Sequence, residues 1–219
     1  MNNNDYHNRI VESYLSESYR VWFEEEAKYL AAHVARSAVV LDVGSGDGRT
    51  INDLLPVTKN ITGIDHDTAA IERAKERFKD FPSVHVETAD ATKIPFEDGR
   101  FDFVTCMGVL MNLGKHRTEA LREMKRVVKD GGKIILDSFS ERSLMERLKA
   151  YEAAGVPVKR IEGGAVFFDE SIGDNISEQF TEGELRNIFD REGLIIEDMY
   201  DGGIVYIFTV SKKNTSLIQ

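Results

Sequence analysis

The sequence is poor in cysteine, proline and tryptophan, and short of positive charge. Its 219 residues hold one cysteine, four prolines and one tryptophan, and 28 Lys and Arg stand against 38 Asp and Glu, a formal net charge of −10. A lone thiol, Cys106, excludes an internal disulfide and fits a reducing compartment. The deficit of positive charge argues against a large nucleic-acid or anionic-membrane footprint, because phosphate contacts supply most of such affinity. No apolar run reaches bilayer length, and the polar start Met1-Asn2-Asn3-Asn4-Asp5 has no secretory apolar region, so a cytoplasmic protein is expected. The length suits one well-cored domain over 1–219, and a composition 42% hydrophobic and 30% charged is ordinary for a globular chain. No metal ion is expected.

The most informative stretch is Val39-Val40-Leu41-Asp42-Val43-Gly44-Ser45-Gly46-Asp47-Gly48-Arg49-Thr50. Its β-branched apolar run is too short for a helix and reads as a strand covered on both faces. Asp42 interrupts that run near its end, three glycines follow, and helical spacing resumes at Ile51, Leu54 and Leu55. The Gly-x-Gly-x-Gly spacing is neither the dinucleotide fingerprint nor a triphosphate loop, which would carry Gly-Lys-Ser/Thr. An acid beside the loop repels phosphate and suits a ligand with a cationic or donating group.

At these residues the chain resembles the class I, Rossmann-like S-adenosylmethionine-dependent methyltransferases, whose first motif is an apolar strand leading through Asp/Glu-x-Gly-x-Gly-x-Gly. The resemblance runs over roughly residues 38 to 210. It implies S-adenosylmethionine as cofactor and places Asp42, Gly44, Ser45 and Gly46 against it. Ile61-Thr62-Gly63-Ile64-Asp65 reads as a second strand ending in an acid. Asp65 lies about 20 residues past the loop, where a carboxylate accepts from both hydroxyls of a ribose. His66 is expected along the adenosine edge, and Asp67 caps a helix from Thr68 to Lys79. A third strand, Val84 to Glu87, leads to Asp90 and Ala91, which the resemblance assigns to the adenine edge. Phe96 either walls the base or anchors its own loop.

The fourth strand, Phe101 to Cys106, resembles the family's Phe-Asp-x-Val segment, so Cys106 is expected under the methionine part of the cofactor. The thiol reads as a small apolar residue rather than a nucleophile. Cys106-Met107-Gly108-Val109 lacks the Pro-Pro-aromatic pattern of base amino-methylating members. Asn112 stands where small-molecule members often carry a histidine pair. Glu119 to Gly132 matches the family's Leu-Arg-Glu-x-x-Arg-Val-Leu-Lys-x-Gly-Gly segment, a helix with basic last turns stopped by glycine. A fifth strand is expected over Lys133 to Asp137.

Two regions carry little motif content. Asn8 to Arg36 is helical in spacing, so residues 1–37 read as an N-terminal helical cap, and Tyr6, Tyr14, Tyr19 and Trp22 either pack in the core or line the substrate mouth. Residues 140–178 form an insert, with a helix from Leu144 to Ala154 and a strand near Ala165 to Asp169. It serves either as a substrate lid or as a structural extension or dimer contact. A capping box at Thr181 and Glu184 opens the last helix, and Leu194 to Tyr200 and Ile204 to Val210 form a hairpin.

The expected fold is a doubly wound α/β domain with a seven-stranded, mostly parallel sheet and an antiparallel last strand. The expected activity is methyl transfer to an oxygen, nitrogen or carbon of a small molecule, by a monomer or homodimer. Substrate contacts are sought at Tyr6, Tyr14, Trp22 and Asn112, and a general base, if used, among His116, His7 and Tyr14. A non-catalytic cofactor-binding partner protein, and a protein or RNA methyltransferase, are the competing readings.

Overall fold

The computed structural model describes residues 16–170 and 175–213. Tyr6, His7 and Tyr14 lie outside the described residues. The described chain opens with α1 (Glu17–His33) and continues β1 (Val40–Val43), α2 (Arg49–Leu54), β2 (Ile61–Asp65), α3 (Thr68–Arg77), β3 (Val84–Thr88) and β4 (Phe101–Cys106). Two short 3-10 turns precede α4 (Arg117–Val127), followed by β5 (Val128–Phe139), α5 (Leu144–Ala153), β6 (Val158–Glu162), β7 (Ala165–Phe168), β8 (Ile176–Ser177), α6 (Glu182–Arg191), β9 (Leu194–Asp201) and β10 (Val205–Lys212).

Seven strands form one sheet in the order β3-β2-β1-β4-β5-β10-β9. β10 is antiparallel to both neighbours, and the β1, β2, β3, β4 and β5 pairings are all parallel. Both faces are covered, which is why β1 reads as an unbroken buried run. One face carries Leu30 of α1 with Val34 just after it, Ile51 and Leu54 of α2, and Ala74 of α3 with Phe78 just after it. The other carries Leu121 and Met124 of α4 and Leu185 and Phe189 of α6. The chain leaves β1 toward β2 and later returns to its other side as β4, so the strand order reverses there. Ligands of open α/β sheets sit at the carboxyl ends beside such a reversal.

The insert builds α5 and a separate three-stranded sheet, β6-β7-β8. Its core packs on Trp22 of α1, Met111 and Phe139. Arg147, fully buried, ties it together: Nε donates to Ser143 Oγ at 3.1 Å, Nη1 to Ser177 O and Oγ at 2.9 and 3.0 Å, and Nη2 to Gly164 O at 2.6 Å and Gln179 Oε1 at 2.7 Å.

Two expectations need correction. The fifth strand is longer than Lys133 to Asp137 because Val128 already pairs with Phe101, across a register shift before Phe103. The insert holds strands at β6 and β8 as well as β7, and β6 escaped notice because it is exposed along its whole length and has no apolar alternation. The capping box at Thr181 and Glu184 is present.

Candidate active site

The turn from β1 into α2 is pinned to β2, since Gly44 and Ser45 N–H both donate to Ile64 O, at 2.8 and 3.0 Å. Gly48 has φ 95°, and a Cβ there would run into the Phe78 ring, so the turn needs a glycine on two counts. At Gly46, by contrast, a Cβ would meet nothing within 4 Å. That side of the loop is open.

Asp65 closes the turn from the neighbouring strand. Its Oδ2 accepts from Gly46 N–H at 2.9 Å and its Oδ1 from Asp67 N–H at 2.8 Å, and His66 Nδ1 stands 3.2 Å from Oδ1. Burial pushes this carboxyl up, but His66 and the two amides outweigh it and leave its pKa below the ordinary carboxylate range. Asp65 is thus an anion with fixed orientation, and its remaining lone pairs can accept from a ligand. His66 is largely exposed beside it. Asp90, past the end of β3, is exposed and accepts from Thr92 N–H and Oγ1, both at 2.8 Å, which lowers its pKa. Ala91 is half-buried next to it. Phe96 meets Phe101 edge-on at 5.3 Å and lies under Arg100, which favours the anchoring role.

Asp42 sits deeper than a ligand-tipped strand end would place it. It lies within β1, 1% exposed, with Thr105 Oγ1 donating to Oδ1 at 2.8 Å and Oδ2 buried without a partner. Burial raises its pKa to about 7, against the pull of Thr105 and Arg49. Nearby lies a buried network the sequence reading missed. Trp22 Nε1 donates to Glu26 Oε1 at 2.6 Å and Asp137 Oδ2 at 3.0 Å, Arg49 Nη1 bonds Glu26 Oε2, and Gly108 N–H donates to Asp137 Oδ1 at 2.5 Å. Burial and the adjoining Glu26 carboxyl hold Asp137 well above the usual range. One signal was legible in advance. Asp137 ends the apolar run Ile134-Ile135-Leu136 in the same way that Asp65 ends its own strand.

The other expected residues lie as follows. Trp22 is 3% exposed and bonded inside this network, so it packs α1 onto the sheet instead of lining an open mouth. The Cys106 side chain belongs to the core on the α4 face, and burial, then Asp137 and Asp42, push its thiol pKa up, so only its main chain remains for a ligand. Asn112 Nδ2 donates to Gly108 O at 3.0 Å and braces that turn. His116 is exposed, near enough to Asp90 to lower its pKa. Among the described residues no cluster suited to a metal is found, and no helix is long and apolar enough to cross a membrane.

A sheet of this order, a glycine turn open at Gly46 and a fixed anion at Asp65 define a class I, Rossmann-like S-adenosylmethionine-dependent methyltransferase fold. The residues fit the cofactor of that class. A diol suits Asp65, and the orphaned oxygen of Asp42 suits a cationic ligand group.

Residues 41–136 match the methyltransferase domain family, and the fold is the Rossmann-like one of the class I methyltransferases. Demethylmenaquinone methyltransferase of Staphylococcus haemolyticus is 32% identical over 120 residues, 54% of this chain and 50% of that protein. The chain thus spans about half the length of the curated relatives it matches. Among solved structures, a Pyrococcus horikoshii protein aligns with TM-score 0.71 at 23% identity, over 90% of this chain and 92% of that one. The 1,6-didemethyltoxoflavin-N1-methyltransferase of Burkholderia thailandensis, solved with 1,6-didemethyltoxoflavin and S-adenosylhomocysteine, aligns with TM-score 0.68 at 18% identity, over 88% and 78%.

Proposed function

We propose that this protein transfers the methyl group of S-adenosylmethionine to an oxygen, nitrogen or carbon nucleophile of a small molecule. The observation that carries the reading is Asp65, an acid at the carboxyl end of β2 clamped by the Gly46 and Asp67 amides beside the open turn. The named relatives, which act on demethylmenaquinone and 1,6-didemethyltoxoflavin, support the small-molecule class. The net charge of −10 makes a nucleic-acid substrate unfavourable.

In this reading Asp65 takes the ribose hydroxyls, Asp90 and Ala91 the adenine edge, and the Gly44 to Gly46 turn with Asp42 the amino-acid part. The cofactor, when bound, supplies a methyl already activated by its sulfonium. The chain's task is then to hold donor and acceptor in line and to keep water out. No dedicated base is required for that, and exposed His116 is a candidate only for acceptors that must lose a proton. The insert over 140–178, packed on α1 and Met111, acts as the substrate lid. A reducing, cytoplasmic setting agrees with the single buried cysteine.

Calorimetric titration tests the reading. S-adenosylmethionine and S-adenosylhomocysteine should bind and a nicotinamide dinucleotide should not, and methyl turnover should appear in a panel of quinols, phenols and heterocyclic amines. Binding of the dinucleotide in preference to both adenosyl ligands would overturn it.

A further inference from the structure

Every residue of β6 is exposed, and among the described residues β6 has a strand on one side alone, as the edge of the β6-β7-β8 sheet. The backbone shows which groups that edge leaves open. Gly163 and Gly164, with φ 55° and 85°, make a two-residue turn between the paired Glu162 and Ala165, a form in which the closing pair exchanges both hydrogen bonds. Bonded and non-bonded pairs alternate along an antiparallel ladder, so the next pair, Ile161 and Val166, is a non-bonded one. Val166 faces β8 with its main chain, and Ile161 turns its N–H and C=O toward the open edge.

The side chains of this edge are sorted by face. Cross-strand partners share a face, so Ile161 stands beside Val166 and Val158 beside Phe168, on the side of the insert's core. Lys159 is the extra residue at the register shift that brings both there. Neither is enclosed: Val158 is 37% and Ile161 44% exposed. The opposite face carries Arg160, stacked on Phe167 and ion-paired with Glu162.

We propose that β6 pairs antiparallel with β6 of a second copy of this chain, around a two-fold axis at Ile161. Ile161 then meets Ile161 of the partner subunit, and their main chains exchange the hydrogen bonds that a lone copy leaves to water. Arg160 meets Glu162 of the partner subunit, and Glu162 meets Arg160 of the partner subunit, so both flanking pairs are of opposite charge. Lys159 falls opposite Gly163 of the partner subunit, where nothing lies within 4 Å of a Cβ position. Other axes within the strand are penalised. At Lys159, Arg160 or Glu162 a charge would oppose itself, and at Val158 the ladder would run into Pro157, which has no N–H to donate. Charges on an edge strand ordinarily deter pairing; here they reject the other registers and favour this one. Because β7 holds the other side of β6, each strand takes a single partner and the assembly closes at two copies.

Sedimentation velocity on the full chain, from nanomolar to high-micromolar concentration, should show a reversible monomer–dimer equilibrium. Hydrogen exchange should find the Ile161 amide more protected as concentration rises. Arg160→Glu sets acid against acid on both sides of the axis and Glu162→Arg sets base against base, so each should raise the dissociation constant by about tenfold or more. The double variant R160E/E162R restores both pairs and should dimerise like the parent. An equimolar mixture of the two single variants should form a mixed dimer, since one chain carries acids at both places and the other bases. Both side chains are exposed, and thermal unfolding checks that each variant keeps the parent's fold. A parent chain that stays monomeric throughout, an Ile161 amide unprotected in the dimer, single variants that dimerise as tightly as the parent, or a mixture without mixed dimers overturns the proposal.

Discussion

Asp65 and Asp137 stand in the same sequence context, each directly after an apolar run, yet they are opposite kinds of acid. Asp65 faces two backbone amides and an exposed histidine, and its pKa falls below the ordinary range. Asp137 faces one amide, an indole and another carboxyl inside the core, and its pKa rises. The difference lies in the donors each strand end is given. Asp65 receives the Gly46 N–H of the glycine turn and the Asp67 N–H beyond β2, whereas Asp137, two residues before the end of β5, meets α1, which brings Trp22 and Glu26. A carboxyl late in a strand is held as an anion where the chain supplies donors to its charged form.

Removing Glu26 should break the contrast most severely. Glu26→Ala takes from Arg49 its buried acceptor and leaves the Trp22 indole with Asp137 alone, and should destabilise the fold by about 3–5 kcal/mol, read by urea unfolding. Asp65→Ala strikes the other side. Cofactor affinity should fall by about 1.5–3 kcal/mol in calorimetry through lost charge-assisted bonds, with a smaller effect on unfolding.

The pH dependence of stability sharpens the comparison further. A folded pKa raised above the unfolded value means that the native state binds more protons. Asp42 therefore makes stability decline as pH rises from about 4 to 7, by up to about 1.4 kcal/mol per pH unit, and level off above. Asp42→Asn should flatten that slope. Asp65 has the opposite sign: its contribution is present above the unfolded carboxylate pKa and is lost as pH falls through its lowered folded value. Asp137→Asn should be the mildest change, under about 1 kcal/mol in unfolding, because an amide keeps an acceptor for Gly108 and a donor toward Glu26, and the Trp22 indole, which loses its bond to residue 137, keeps Glu26 Oε1 at 2.6 Å.

Legibility in the sequence followed the same divide. Strand positions in the central sheet were readable because strands covered on both faces are mostly apolar, and the glycine turn and Asp65 announced themselves by local spacing. Glu26, Arg49 and Asp137 did not, because they meet only when α1 crosses the carboxyl end of β5, more than a hundred residues away in sequence. Trp22 stayed open between core and substrate mouth, since an indole that packs a helix and one that lines a mouth have the same spacing. β6, fully exposed, offered no pattern at all.

The most direct measurement is a crystal structure of the protein with S-adenosylhomocysteine. The ligand should lie across the open side of Gly46, with the ribose hydroxyls donating to Asp65 and the amino-acid part toward Asp42. A ligand bound elsewhere, or one whose ribose leaves Asp65 untouched, would contradict the account.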